Sequence, residues 1–184
     1  MNTPDAVRAS ERLQLRPVPW AAVEAIVTGD RLPDWAEDFP DTGDRVIARM
    51  LYQAGRPEAK PQHPGPWGHY QVVERASGAV VGGIGFRGPP EDGVTEIGYG
   101  IVPSRQGHGY ATEAVNALLL VAWEQPETNT IIAHTEIGNL ASQRVLGKAG
   151  FVPAATAATA ATAATAAEKR YRLDRPARPT RTAE

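Results

Sequence analysis

Cysteine is absent from the 184 residues. That excludes disulfide frameworks, thiolate zinc sites and a cysteine nucleophile together, and it agrees with a reducing cytoplasm, the location expected here. An excess of one charge is missing too. The net charge is −2, without the basic surplus of a dedicated nucleic-acid binder. No run approaches the ~18 apolar residues of a membrane span. The N-terminal stretch carries Asp5, Arg8, Glu11, Arg12 and Arg16, so no apolar signal core is expected. Neither nucleic acid nor membrane is therefore expected as a partner. Large apolar side chains are scarcer than the 42% hydrophobic content suggests, because alanine supplies 30 of those residues. What remains still builds a core, since a domain of this length buries about 70% of its unfolded surface.

Periodicity supplies the elements. Residues 12–18 alternate, with Leu13 and Leu15 opposed by Arg12, Gln14 and Arg16, and read as a strand. Short helices are expected over residues 21–27, closed by Gly29, and over 44–53, stopped by Gly55. Four prolines make residues 57–66 a loop. Strands follow at 69–75 and 79–86, a hairpin about Ser77-Gly78, and at 94–102. Ala111, Ala114, Val115, Leu118, Leu119, Ala122 and Trp123 form the apolar stripe of a helix lying on a sheet. A strand at 130–137 precedes a helix from Asn139, a plausible N-cap, to Gly150, its left-handed stop. Residues 168–173 read as the last strand. This order predicts a mixed α/β sheet with helices on its faces.

Residues 154–167 repeat Ala-Ala-Thr, a low-complexity tract with nothing large enough to pack a core. It reads as an expanded loop between two strands, since closure entropy grows only with the logarithm of loop length. Residues 1–10 are expected to be a flexible start, 11–175 one domain, and 176–184 a disordered, weakly basic tail.

Two glycine loops compete for a phosphate-bearing ligand. Gly83-Ile-Gly85-Phe-Arg-Gly88 has the letters of a dinucleotide fingerprint, but Pro89-Pro90 follows it instead of a helix. It reads as a strand glycine run. Arg105-Gln106-Gly107-His108-Gly109-Tyr110-Ala111 lies between a strand and the strongest helix. There the unpaired N–H groups of the first helical turn and the dipole favour an anion. Gly107 and Gly109 let its charge come close to the backbone. No lysine followed by Ser or Thr makes it a Walker loop. The histidines 63, 69 and 134 show no metal spacing, and no metal is expected.

Gln106-x-x-Gly109-x-Ala111 resembles the signature of the GNAT N-acetyltransferases, and the surrounding stretches resemble the RimJ/RimL-like branch. Those stretches are Gly82-Gly83-Ile84-Gly85, Glu96-Ile-Gly98-Tyr99, Gly109-Tyr110-Ala111-Thr112-Glu113-Ala114, Asn139-x-x-Ser142 and Lys148-Ala-Gly150-Phe151. The resemblance covers residues 11–175. It implies a mostly antiparallel sheet of about seven strands, flanked by about four helices and splayed between the fourth and fifth strands, here 94–102 and 130–137. It implies an acyl-CoA donor, most often acetyl-CoA, and an amine acceptor, either a protein N-terminus or a small-molecule or antibiotic amine. The pyrophosphate would lie on the amides of Gln106, Gly107, His108, Gly109, Tyr110 and Ala111. Pantetheine would pair with the backbone of Ile101 and Val102 as an added strand does, and Asn139 would bind pantetheine or only cap its helix.

For the chemistry, the resemblance makes Glu96 the base, through water, or else a structural carboxylate. A backbone N–H near Ile101 would serve the oxyanion. Many family members place a tyrosine acid seven residues after the helix-opening Asn. Leu146 stands there in this chain, and Ser142 is the substitute, or else a helix-surface hydroxyl. Trp35, Asp34 and Asp38 are candidates to hold a cationic acceptor. Two other readings remain open. One is a non-catalytic acyl-CoA-binding or sensor domain on the same fold, which the missing tyrosine permits. The other is an ice-active protein built on the Ala-Thr tract. An exposed sheet edge also allows a homodimer.

Overall fold

A computed structural model describes residues 8–55, 65–155 and 168–176. The chain starts with β1 (Arg8–Ala9) and β2 (Leu13–Pro17), then crosses to helices α1 (Trp20–Thr28) and α2 (Thr42–Ala54). Strands β3 (His69–Glu74), β4 (Val80–Phe86) and β5 (Val94–Ile101) follow. Helix α3 (Tyr110–Trp123) leads to β6 (Thr130–Glu136), α4 (Leu140–Lys148), β7 (Val152–Ala154) and β8 (Glu168–Asp174). The strands form one sheet in the order β1-β2-β3-β4-β5-β6-β8-β7.

The expected mixed α/β architecture and its four helices are present, with β1 and β7 as strands that the sequence pattern did not register. At two and three residues they are too short for alternation to show. β1 also lies inside the stretch expected to be a flexible start. Residues 156–167 of the Ala-Ala-Thr tract and residues 177–184 of the tail lie outside the described residues.

Every strand pair is antiparallel except β5 with β6, which run parallel. That pair holds only where Val94, Thr95 and Glu96 face Thr130, Ile131 and Ile132. Beyond Glu96 the two strands separate, which is the splay expected between residues 94–102 and 130–137.

Helix α3 buries Ala114, Val115, Ala117, Leu118, Leu119, Val121 and Ala122, packing on β2, β4 and β5. A fully buried Leu or Val side chain contributes about 1.5–3 kcal/mol, so this stripe fixes one face of the sheet. Helices α1 and α2 pack together, and α2 reaches β4 and β5 from the opposite face. Helix α2 starts two residues before the expected position. Asp41 and Asp44 form a reciprocal capping box there, satisfying two otherwise unpaired N–H groups. Of its residues only Ala48 is buried. The apolar positions Val46, Ile47 and Leu51 instead line a cavity between α2 and the sheet.

Candidate active site

The glycine loop before α3 is braced by its own side chains, and of the amides expected to meet the pyrophosphate the Gln106 N–H is already given to the Pro103 carbonyl at 3.2 Å. A 3-10 turn at Pro103–Arg105 carries the chain from β5 to Gln106. Gly107 and Gly109 take φ values of +79° and +82°, the left-handed region that favours glycine. Gly109 is the N-cap of α3 and offers no side-chain cap. The N–H groups of Tyr110, Ala111 and Thr112 therefore have no acceptor within the helix. The Gln106 Nε2 donates to the Ile101 carbonyl at 2.8 Å, tying the loop to the strand end. The His108 Nδ1 lies 2.8 Å from the Gln106 carbonyl, so its ring folds back on the loop. Arg12 donates to the His108 carbonyl at 2.9 Å and stands over the Tyr110 ring, and the Tyr110 hydroxyl donates to Glu74 at 2.6 Å.

The edge of β5 can be read residue by residue. The Arg87 N–H donates to the Glu96 carbonyl, and the Val102 N–H donates to the Val81 carbonyl, both at 2.9 Å. Glu96 and Val102 thus turn their backbone toward β4. With strand alternation, Ile97, Tyr99 and Ile101 turn theirs away from β4; the last parallel rung to β6 takes the Ile97 N–H, and Tyr99 and Ile101 face the gap. The Ile101 carbonyl is held by Gln106, leaving its N–H for the gap. Val102 departs from the expected pantetheine contact: its N–H is taken by Val81 and its carbonyl accepts from Arg105 at 2.9 Å. Tyr99 replaces it on the open edge.

Glu96 lies on the face of β5 that looks toward α2. Its Oε1 is 3.0 Å from the Arg87 Nε and 3.1 Å from the His134 Nδ1. Asn139 caps α4, accepting from the Ser142 N–H at 2.9 Å. The Ser142 Oγ lies 2.8 Å from the Tyr99 hydroxyl, which also donates to the Ser142 carbonyl at 3.1 Å. Burial pushes the Tyr99 phenol up to about 12, so it keeps its proton. Leu146 is fully buried and adds no polar group. A phenol thus reaches the α4 start from the sheet rather than from α4 itself.

The cavity under α2 encloses about 410 Å³. Its walls include Phe39, Ile47 and Leu51, and its polar lining includes Asp44, Gln71 and Arg87. Gly83 pairs with Gly100, and Gly85 with Gly98, across β4 and β5; all four line the cavity. The glycine run of β4, read above as structural, is therefore part of a floor. A Cβ on Gly98 or Gly100 would meet nothing within 4 Å. Burial pushes the Asp44 carboxyl up to about 7, against the Asp41 N–H and Arg45; the nearby Asp41 charge adds to the rise.

The residues expected to hold the acceptor lie outside this cavity. Trp35 is 6% exposed and meets the Phe39 ring edge-on at 5.0 Å. Asp34 pairs with Arg16 at 2.6 Å. Asp38 accepts from the backbone and hydroxyl of Ser104, each at 2.8 Å, bracing the turn before the donor loop. None of the three lines the cavity. Sequence reasoning did not single out Asp44 and Gln71, which line the cavity, or the Tyr99–Ser142 contact. The available signals were the Asp41-x-x-Asp44 capping spacing and a polar Gln71 interrupting the apolar run of β3.

Comparison with known proteins agrees with this geometry. Residues 12–152 match the family described as Acetyltransferase (GNAT) domain. An N-acetyltransferase of Bacillus subtilis strain 168, YjdG, itself uncharacterized, is 38% identical over 82 residues, 44% of this chain and 49% of its own length. The chain thus spans about half the length of the curated relatives it matches. Among solved structures, a Vibrio cholerae protein assigned as a ribosomal-protein-serine acetyltransferase has a TM-score of 0.65 and 24% identity, covering 95% of this chain and 100% of that one. RimL, a ribosomal L7/L12 alpha-N-protein acetyltransferase solved with coenzyme A, has a TM-score of 0.61 and 17% identity, covering 91% and 97%. At such identity the likeness is one of fold. The family match runs from β2 to β7 and takes in both the donor loop and the α2 cavity, and by it the chain belongs to the GNAT acetyltransferase family.

Proposed function

We propose that the protein is an N-acyltransferase that moves an acyl group, most often acetyl, from an acyl-CoA to a primary amine in a ternary complex. One observation carries this reading: strand β5 serves two sites at once. Its open edge and the α3 start suit an extended, phosphate-bearing donor, and its other exposed surface floors the α2 cavity. The fit to CoA rests on the amides of Tyr110, Ala111 and Thr112 at the α3 start and on the gap-facing backbone of Tyr99 and Ile101. Acyl-CoA, when bound, would supply a thioester carbonyl carbon for the amine to attack, leaving CoA as the thiol.

The remaining roles fall to this chain. Glu96, held by Arg87 and His134, accepts the ammonium proton through water. The Ile101 N–H faces the developing oxyanion. The Ser142 hydroxyl, whose proton rests on the Tyr99 oxygen while Tyr99 donates to the Ser142 carbonyl, turns that proton to the departing sulfur. Asn139 orients Ser142 through its N–H. Residues 11–175 form the working unit, and the acceptor is a protein N-terminal amine or a small amine, as in the RimJ/RimL-like branch.

Thermal unfolding with and without acetyl-CoA tests the donor site. A ligand at ~100 times its dissociation constant adds about 2.7 kcal/mol, a midpoint rise of about 5–10 °C at this size. Gly109→Asp, which places a carboxylate among the loop amides, should abolish the rise. No rise in the wild type refutes the reading. The buried Leu146 favours a second reading, a donor-binding sensor. Turnover with any amine excludes it.

A further inference from the structure

The α2 cavity contains a donor and an acceptor that no described residue uses. Gln71 is 2% exposed, and its Nε2 has no hydrogen-bond partner among the described residues. Its orientation is fixed from behind. Arg16, which can only donate, directs Nε and Nη2 to the Gln71 Oε1 at 3.1 and 2.8 Å. Asp34 holds Arg16 in turn. The Gln71 NH₂ is thereby turned away from Arg16, on a residue that lines the cavity. A buried donor without an acceptor is costly, and an amide held this way invites a ligand oxygen.

Asp44 lies beside it. Gln71 and Gly83 are directly paired across β3 and β4, so they share a face at neighbouring positions. A Cβ on Gly83 would come within 2.2 Å of the Asp44 Oδ1. The carboxylate therefore occupies the space that a side chain next to Gln71 would fill. Its Oδ2 accepts from the Asp41 N–H at 3.0 Å, while no donor meets Oδ1 among the described residues. The next positions in these rows, Gly100 and Gly98, are open.

We propose that Asp44 and Gln71 are the pair that selects the acceptor. The Asp44 carboxylate takes a primary ammonium, the Gln71 amide takes a carbonyl oxygen adjacent to that amine, and the attached apolar body lies over Gly98 and Gly100. The acceptor class is then an α-amino amide, as at a peptide N-terminus, rather than a plain alkylamine or polyamine. The term acceptor rests on the acyltransferase reading, whereas the binding itself can be measured without transfer.

Calorimetric titration of the full chain with CoA present, at pH 7, tests this with leucinamide and with 3-methylbutylamine, which lacks only the carboxamide. Leucinamide should bind at least tenfold more tightly. Gln71→Leu should remove that difference, and Asp44→Asn should weaken both amines at least tenfold, each variant being checked for an unfolding midpoint near the wild type. Equal affinities in the wild type, which needs no variant, overturn the proposal. So does unchanged amine affinity in a folded Asp44→Asn. No binding of either amine while CoA still binds overturns it as well. Loss of CoA binding with the leucinamide preference intact refutes the acyltransferase reading and leaves the pair standing.

Discussion

Asp44 is where protonation and folding meet. Its folded pKa, about 7, lies above the ordinary 3.8 chiefly because the carboxyl is buried. The folded state thus holds a proton that the unfolded chain releases between about pH 4 and 7. Stability contributed by that proton is present below pH 4 and is lost as pH rises through 7. Asp44→Asn, which keeps an oxygen for the Asp41 N–H, should escape this loss. The midpoint difference, Asn minus Asp, should grow from pH 4 to 7 and then level, as scanning calorimetry at several pH values would show. A difference independent of pH would contradict the assignment. Glu96, Ser142 and the glycine loop drew attention in the sequence because each sits in a local motif. Asp44 and Gln71 were not, because their pairing exists only once β3, β4 and α2 come together.

At the scale of elements, β5 is built around absent side chains. Gly98 and Gly100 leave its α2 face bare, and neither needs a positive φ, so a β-branched residue suits their extended backbone. Gly100→Val should fill part of the cavity and raise the acceptor KM more than tenfold. The acetyl-CoA thermal shift, which depends on the opposite edge, should stay within a degree or two of the wild type. Loss of both would place the two sites in one compartment. The α3 stripe was readable because it is long and strictly periodic. The start of α2 was not, because a capping box rather than an apolar residue sets it.

For the whole molecule, residues 156–167 of the Ala-Ala-Thr tract connect two strands that pair through residues outside that span. β7 and β8 meet at Val152 with Arg172, Pro153 with Tyr171 and Ala154 with Arg170. Replacing residues 156–167 by a short Gly-Asn turn should preserve the acetyl-CoA thermal shift and turnover, and should raise the unfolding midpoint slightly through the shorter closure. Loss of both functions would show that the tract belongs to the site and revive a reading centred on it.

The brief parallel contact between β5 and β6 has a mechanical consequence. Five strands stand on one side of it and three on the other, and the rungs crossing between them stop at Glu96. The sheet is thus a hinged pair of plates whose seam opens at Glu96. A donor lying along the seam would supply the missing rungs and act as a keystone. Amide hydrogen exchange should find the β6–β8 plate opening more readily than β2–β4 without ligand. On adding CoA, the Tyr99 and Ile101 amides should slow together with that plate, so that loading the enzyme and closing its sheet are one event.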